Sequence, residues 1–247
     1  MKDKVIFVTG GTRGIGLGIA RRFIEAGARV AISYATQRER ALALQDELAS
    51  EGHSLLTVEM HAESRNSIRT ALEEVKAILG SVDVLINNAA IAQEKPFDTI
   101  TDEDWEKMFR VNLQGPFALT QEVIPEMLEK GWGRIINISS IGGQIGGVNQ
   151  IHYASAKAGL IGLTKSLARV YSSSGITCNA IAPGLVATDM TERELNSAAG
   201  KKKVEAIPAG RTGTTAEIAE ACIFLCNEQS GYITGQTLNL NGGMYFG

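Results

Sequence analysis

Tyr153 and Lys157 stand four residues apart in Tyr153-Ala154-Ser155-Ala156-Lys157. On a helix this spacing puts both side chains on one face, about 6 Å apart along the axis. A phenol titrates near pH ~10, and nearby positive charge, an ammonium first of all, stabilises phenolate and draws that value down. Tyr153 is therefore expected to trade a proton at working pH. The same spacing also describes an ordinary solvated helix face, so the pair needs context. Upstream, Arg134-Ile135-Ile136-Asn137-Ile138-Ser139-Ser140 reads as a buried strand ending in two hydroxyls, at the edge where open α/β sheets bind substrate. Either serine could donate to a carbonyl oxygen, and the strand alone does not choose between them.

A second chemical feature lies near the start, in Thr9-Gly10-Gly11-Thr12-Arg13-Gly14-Ile15-Gly16. Without side chains at Gly10, Gly14 and Gly16, the backbone can turn tightly and approach a pyrophosphate, whose charge then faces the free amides of the following helix. A plain strand-to-helix turn is the alternative, and a strand before with a helix after favours the dinucleotide. Enzymes that prefer NAD present a carboxylate to the ribose hydroxyls near the end of the second strand. Here that strand ends Ala31-Ile32-Ser33-Tyr34, with no acid. A 2'-phosphate meets no repulsion there, and Arg13, with Arg38, offers a charge-assisted contact. NADP(H) is the expected cofactor, with Thr12, Arg13, Ile15, Ser33 and Tyr34 among its contacts. If it is not, Arg13 is a solvated surface cation.

The elements that must position these groups follow an alternation of β-branched runs and amphipathic stretches. Strands are predicted at Val5-Thr9, Arg29-Ser33, Ser54-Met60, Val82-Asn87, Gly133-Ser139, Thr177-Ile181 and Thr237-Leu240. Helical patterns occupy 15-27, 38-51, 65-79, 102-130, 152-173 and 215-227, long enough for right-handed crossovers. This describes an α/β fold, a single doubly wound domain over residues 1-247 with a seven-stranded parallel sheet and helices on both faces. No linker, low-complexity tract or repeat gives a second domain a place to begin. Gly184-Gly213 is the least regular stretch, with Met190, Lys201-Lys202-Lys203 and Pro208, and its 185-210 portion is expected to be a substrate lid.

Bulk properties exclude other classes. The chain has 247 residues, 44% hydrophobic and 21% charged, as a globular domain requires. A net charge of -3, from 24 basic and 27 acidic residues, gives no basic field for nucleic acid. The apolar run after Met1-Lys2-Asp3-Lys4 is too short for a signal sequence or a membrane span, so a cytoplasmic protein is expected. Cys178, Cys222 and Cys226 make an odd number with no finger pattern, so reduced core thiols are expected and no metal site.

Taken together, these residues resemble the short-chain dehydrogenases/reductases over essentially the whole chain. The Gly10 to Gly16 turn is similar to the family's cofactor turn, and Asn87-Asn88-Ala89-Ala90 to the motif that supports the central sheet beside the cofactor. Pro183-Gly184, followed by Val186 and Thr188, looks like the segment at the nicotinamide end. Asn112, Ser140, Tyr153 and Lys157 match the catalytic tetrad, and the family's thirteen-residue interval between serine and tyrosine selects Ser140 over Ser139. The resemblance implies a Rossmann-type fold and direct hydride transfer between nicotinamide and a carbonyl. In that scheme Ser140 and Tyr153 polarise the oxygen, and Tyr153 supplies the proton. Lys157 lowers the tyrosine pKa and holds the ribose, and Asn112 keeps a water that links Lys157 to solvent.

Within the family, Ile207-Pro208-Ala209-Gly210-Arg211, Tyr232-Ile233-Thr234-Gly235-Gln236-Thr237, Asn241-Gly242-Gly243-Met244-Tyr245 and Ala158-Gly159-Leu160-Ile161-Gly162 are very similar to the β-ketoacyl-acyl-carrier-protein reductases. The substrate this implies is a 3-oxoacyl thioester on acyl carrier protein or CoA. A free alcohol, sugar or hydroxy acid, or a non-catalytic dinucleotide-binding subunit, are the other readings. Gly131 and Ser174 stand where that subgroup carries docking arginines, with Lys130 expected to compensate in part. In Met60-His61-Ala62, His61 replaces an Asp that holds the adenine and is expected either to pack on the adenine or to be a plain exposed histidine. Ala90 replaces a glycine, which is tolerable at negative φ. His152, about 100° around the helix from Tyr153, is read as no proton carrier, and Trp105 and Trp132 as packing. A homotetramer is implied, with small residues Ala154, Ala158, Gly159 and Gly162 serving either helix approach between subunits or packing within one.

Overall fold

The computed structural model describes residues 1–188, Thr191, Leu195 and 197–247; Met190 lies outside the described residues. Seven strands, β1 (Val5–Val8), β2 (Arg29–Tyr34), β3 (Leu55–Glu59), β4 (Val84–Asn87), β5 (Gly133–Ile138), β6 (Ile176–Pro183) and β7 (Thr237–Leu240), join one sheet. Their order is β3-β2-β1-β4-β5-β6-β7 and every pairing is parallel. All seven expected strands are present; β6 is longer than expected because it continues to Pro183 beside β7. β1 (VIFV), β4 (VLIN) and β5 (GRIINI) are buried throughout, as strands covered on both faces must be.

The covering helices are α1 (Gly14–Glu25), α2 (Arg38–Ser50), α3 (Arg65–Leu79), α4 (Asp102–Phe109), α5 (Gly115–Lys130), α6 (Gly142–Ile145), α7 (Ile151–Tyr171), α8 (Ala198–Glu205) and α9 (Thr215–Cys226). One core cluster lies under α1 and α9, with Ile6, Ile19, Phe23, Ile86 and Cys222; the other lies under α3, α5 and α7, with Phe7, Ile68, Leu119, Met127 and Cys178. The three cysteines are buried free thiols in these clusters, and burial pushes Cys178 and Cys226 up to about 12. Among the described residues, no helix is long and apolar enough to cross a membrane.

The helix expected over 102-130 needs correction. α4 and α5 are joined by a π-helical turn, Arg110–Gln114, which the 3.6-residue pattern could not reveal. Such a turn inserts an extra residue and re-aims the side chains within it, here Asn112. The expected irregular stretch also holds α8, whose Ser197 cap accepts from Gly200 N at 2.9 Å.

The strand order reverses between β1 and β4, because successive crossovers run outward on both sides of β1. Carboxyl ends of strands at such a reversal leave a crevice. The first glycine turn, the β4 end and the start of α7 all meet there.

Candidate active site

The crevice has a volume of about 500 Å³. Its floor is the turn after β1, where Gly10 and Gly14 take φ of +65° and +53°. A Cβ on Gly16 would stand 2.3 Å from the Gly10 carbonyl and 2.6 Å from Asn88 Nδ2, so the turn closes only with glycine there. α1 has no acid in its first turn, leaving its amide end positive toward the crevice.

The segment after β4 braces this turn. Asn88 Nδ2 donates to the carbonyls of Thr9 (2.9 Å) and Gly10 (3.1 Å), and Thr9 Oγ1 accepts from the backbone amides of Asn88 and Ala89. Ala90 keeps a negative φ, so the expected tolerance of alanine holds. Behind it, Asn87 Nδ2 donates to Asn137 Oδ1 at 2.8 Å, and Asn137 Nδ2 to Thr164 Oγ1 at 2.8 Å. This buried polar row ties β4, β5 and α7 together under the site.

The walls contain most of the residues expected to hold a dinucleotide. Thr12, Arg13, Ile15, Ser33, Tyr34, His61, Ala62, Asn88, Ala89, Ala90, Tyr153 and Thr188 line the crevice with Gly10, Gly14 and Gly16. No carboxylate ends β2; Ser33 Oγ instead accepts from Gly10 N at 3.2 Å. Arg13 makes no ion pair among the described residues. His61 faces Glu59 (3.5 Å) and Glu63 (3.8 Å), with its side chain 40% exposed. The turn, the amide end of α1 and the acid-free β2 end fit a phosphorylated dinucleotide.

Buried Lys157 stands outside the lining, as do three more of the expected contacts. Pro183 ends β6 and accepts from Ile141 N, Gly184 donates to Leu240 O, and Val186 is buried beside Gly213. They set the course of the chain to Thr188. Arg38 is also outside the lining. The guanidinium that reaches the glycine turn is that of Arg40, one residue pair further along α2, whose Nε donates to Thr12 O at 3.0 Å. Lys107, absent from the expected set, lines the crevice one helical turn before Val111.

At the inner end, β5 delivers the two serines in opposite senses. Ser139 Oγ is buried and donates to the Lys157 carbonyl at 2.9 Å. Ser140 Oγ accepts from Gly142 N at 3.1 Å, and its hydroxyl acts on the Tyr153 phenol to draw that pKa down. The geometry thus separates two hydroxyls that the strand alone left level. Lys157 is 3% exposed, donates from Nζ to Ile138 O at 2.7 Å, and lies 5.7 Å from the centre of the Tyr153 ring.

In the protein alone the tyrosine pKa is not drawn down. Burial pushes the Tyr153 phenol above its usual value, with the Ser140 hydrogen bond acting against it. Burial also lowers Lys157 to about 8. With the ammonium turned to a backbone carbonyl, desolvation outweighs its pull on the phenol.

Asn112, in the π-helical turn, is fully buried. Its Nδ2 donates to Ile91 O (2.8 Å) and its Oδ1 accepts from Ile91 N (2.9 Å), which fixes the start of the segment after β4. Lys130 pairs with Asp83 at 2.7 Å and also donates to Ser81 O. Trp132 lies between Lys4 (3.9 Å) and Arg134 (4.4 Å), and Trp105 stacks on Phe109, both as packing residues.

A family model described as "Enoyl-(Acyl carrier protein) reductase" matches residues 10–245. The chain is 44% identical over 246 residues to the 3-oxoacyl-(acyl-carrier-protein) reductase FabG of Aquifex aeolicus, covering 99% of this chain and 98% of that protein. It is 43% identical over 244 residues to the FabG of Escherichia coli, with 99% and 98% covered. To that of Staphylococcus aureus it is 39% identical over 242 residues, with 98% of each covered.

Proposed function

The chain belongs to the short-chain dehydrogenase/reductase family, and on that premise we propose that it reduces 3-oxoacyl thioesters, carried by acyl carrier protein or CoA, to 3-hydroxyacyl products with NADPH. The observation that carries this reading is the hydroxyl pair Ser140–Tyr153 above a buried Lys157, at the inner end of a crevice built for a dinucleotide. Bound NADPH would supply the hydride. Ser140 Oγ and Tyr153 Oη hold the carbonyl oxygen from two sides, which stabilises the negative charge that develops on it. Tyr153 passes its phenolic proton to that oxygen as the C–O bond becomes single. Lys157, beneath the ring, steadies the phenolate left behind and holds the nicotinamide ribose. Asn112 keeps a lone pair of Oδ1 for a water leading to Lys157, while its amide holds Ile91.

The 2'-phosphate is supported by what β2 lacks and by Arg13, with Arg40 fixing the turn that presents it. The likeness to proteins named for acyl-carrier-protein substrates supports the thioester. A homotetramer is supported by an apolar hollow of about 510 Å³ on the outer face of the long helices, lined by Phe109, Leu113, Phe117, Gly159 and Leu163. Three buried thiols suit a reducing, cytoplasmic setting. We also propose 185-210 as the lid and residues 1-247 as one domain.

The test is NADPH oxidation with acetoacetyl-carrier protein, acetoacetyl-CoA and small free ketones in parallel, repeated with NADH. Efficient turnover of either thioester with NADPH is expected. Turnover of free ketones or alcohols alone, or a clear NADH preference, would overturn the respective part.

A further inference from the structure

One buried side chain beside the site has a polar network that the chemistry above does not use. His152, next to Tyr153 in the first turn of α7, is 0% exposed. Its Nε2 lies 2.8 Å from Gln93 Oε1, while its Nδ1 has no hydrogen-bond partner. The polarity of the contact follows from Gln93. Its Nε2 donates to Asp104 Oδ1 at 3.0 Å, and a carboxylate can only accept. Gln93 Oε1 is therefore the acceptor, and His152 Nε2 carries the hydrogen. Asp104 is in turn held by Lys95 Nζ and by Thr101 N at 3.0 Å.

We propose that His152 is a positioning residue for Tyr153, acting through Gln93 and Asp104 to lock the start of α7 against the crevice wall formed by the segment after β4. This rests on the reading of Tyr153 as the acid. The segment is pinned at its start by Asn112 on Ile91 and at its other end by Lys95 N, which donates to Asn149 O at 2.7 Å. The His152–Gln93 bond is a part-buried side-chain contact between these pins, one residue from the phenol. Ile91 and Ala92 line the crevice, so the same bond relates the phenol to the wall that faces the cofactor. An orphaned Gln93 oxygen would release both partners, and displacements near 1 Å can cost roughly a hundredfold in rate.

His152→Phe keeps the volume and removes the donor, and His152→Gln returns an N–H at a similar reach. The expected result is a kcat about tenfold lower for His152→Phe, with NADPH affinity within about twofold of the parent. His152→Gln should recover to within about threefold. Gln93→Leu should reproduce the loss, and the double variant His152→Phe/Gln93→Leu should be no slower than either single one, since they break one link. A parental kcat in His152→Phe, or an equal fall in His152→Phe and His152→Gln, overturns the proposal. If His152→Phe does not fold, Gln93→Leu decides: a parental kcat there overturns it. Tyr153→Phe, measured alongside, separates the two failures. A near-parental rate in that variant removes the acid reading itself, whereas an inactive Tyr153→Phe beside a parental His152→Phe removes only the positioning role.

Discussion

At the scale of the residue, the site keeps a cation and a phenol in a dry place, and each is pushed toward its neutral form. Burial lowers Lys157 to about 8 and raises Tyr153 above its usual value. In the free protein the phenol therefore stays protonated where the lysine begins to lose its charge. The pH profile of kcat/KM reports groups of the free enzyme. It should fall as pH rises through about 8, with Lys157 as the source. Stability should move the other way. Between about 8 and the usual lysine value of 10.5, the unfolded chain holds the extra proton, so this group alone makes the fold more stable as pH rises. A steady-state profile and urea melts across that interval check both signs; a kcat/KM flat through pH 9 would contradict the assignment. The Tyr153–Lys157 spacing was legible in the sequence because a helix repeats its faces. The balance between desolvation and charge was not, since it depends on Lys157 turning to the Ile138 carbonyl, a contact nineteen positions away.

At the scale of the element, the site depends on α7 lying close to the turn that follows β5. Gly143 makes this possible: a Cβ there would stand 2.8 Å from the Lys157 carbonyl carbon and 3.0 Å from Ala158 N, both backbone atoms that cannot swing aside. Gly143→Ala should destabilise by about 1–3 kcal/mol, as overpacking does. It should also lower kcat more than it raises KM for NADPH, because Ser140 and Tyr153 lie on the two sides of the contact. Urea unfolding together with kinetics tests this, and an unchanged midpoint and rate would contradict it. The seven strands were readable because buried parallel strands carry continuous β-branched runs. The π-helical turn at Asn112 was not, because a one-residue insertion barely alters an apolar pattern over 29 positions of 102-130. Ser139 and Ser140 show the limit plainly: both follow the end of β5, and only the placement of α7 says which of them meets the tyrosine.

At the scale of the whole molecule, the same helices carry the site on one face and an apolar hollow on the other. The inner face of α7 carries Tyr153 and Lys157, while its outer face, with α4 and α5, leaves Phe117 44% exposed beside an apolar hollow. A Cβ on Gly159 would meet Leu113 at 2.8 Å in the lining of that hollow, whereas Gly162 faces open space. Phe117→Glu places a charge in that hollow and should shift light-scattering mass in solution from four times the 26.4 kDa chain to a smaller species. An unchanged tetramer would show that this face does not join subunits. Turnover hangs, in this reading of the site, on one phenolic proton, and measuring rate and NADPH affinity together in Tyr153→Phe checks it. The predicted result is a rate lower by about 10²–10⁴-fold with NADPH binding within about twofold of the parent. Turnover close to the parent's, with binding intact, would contradict it.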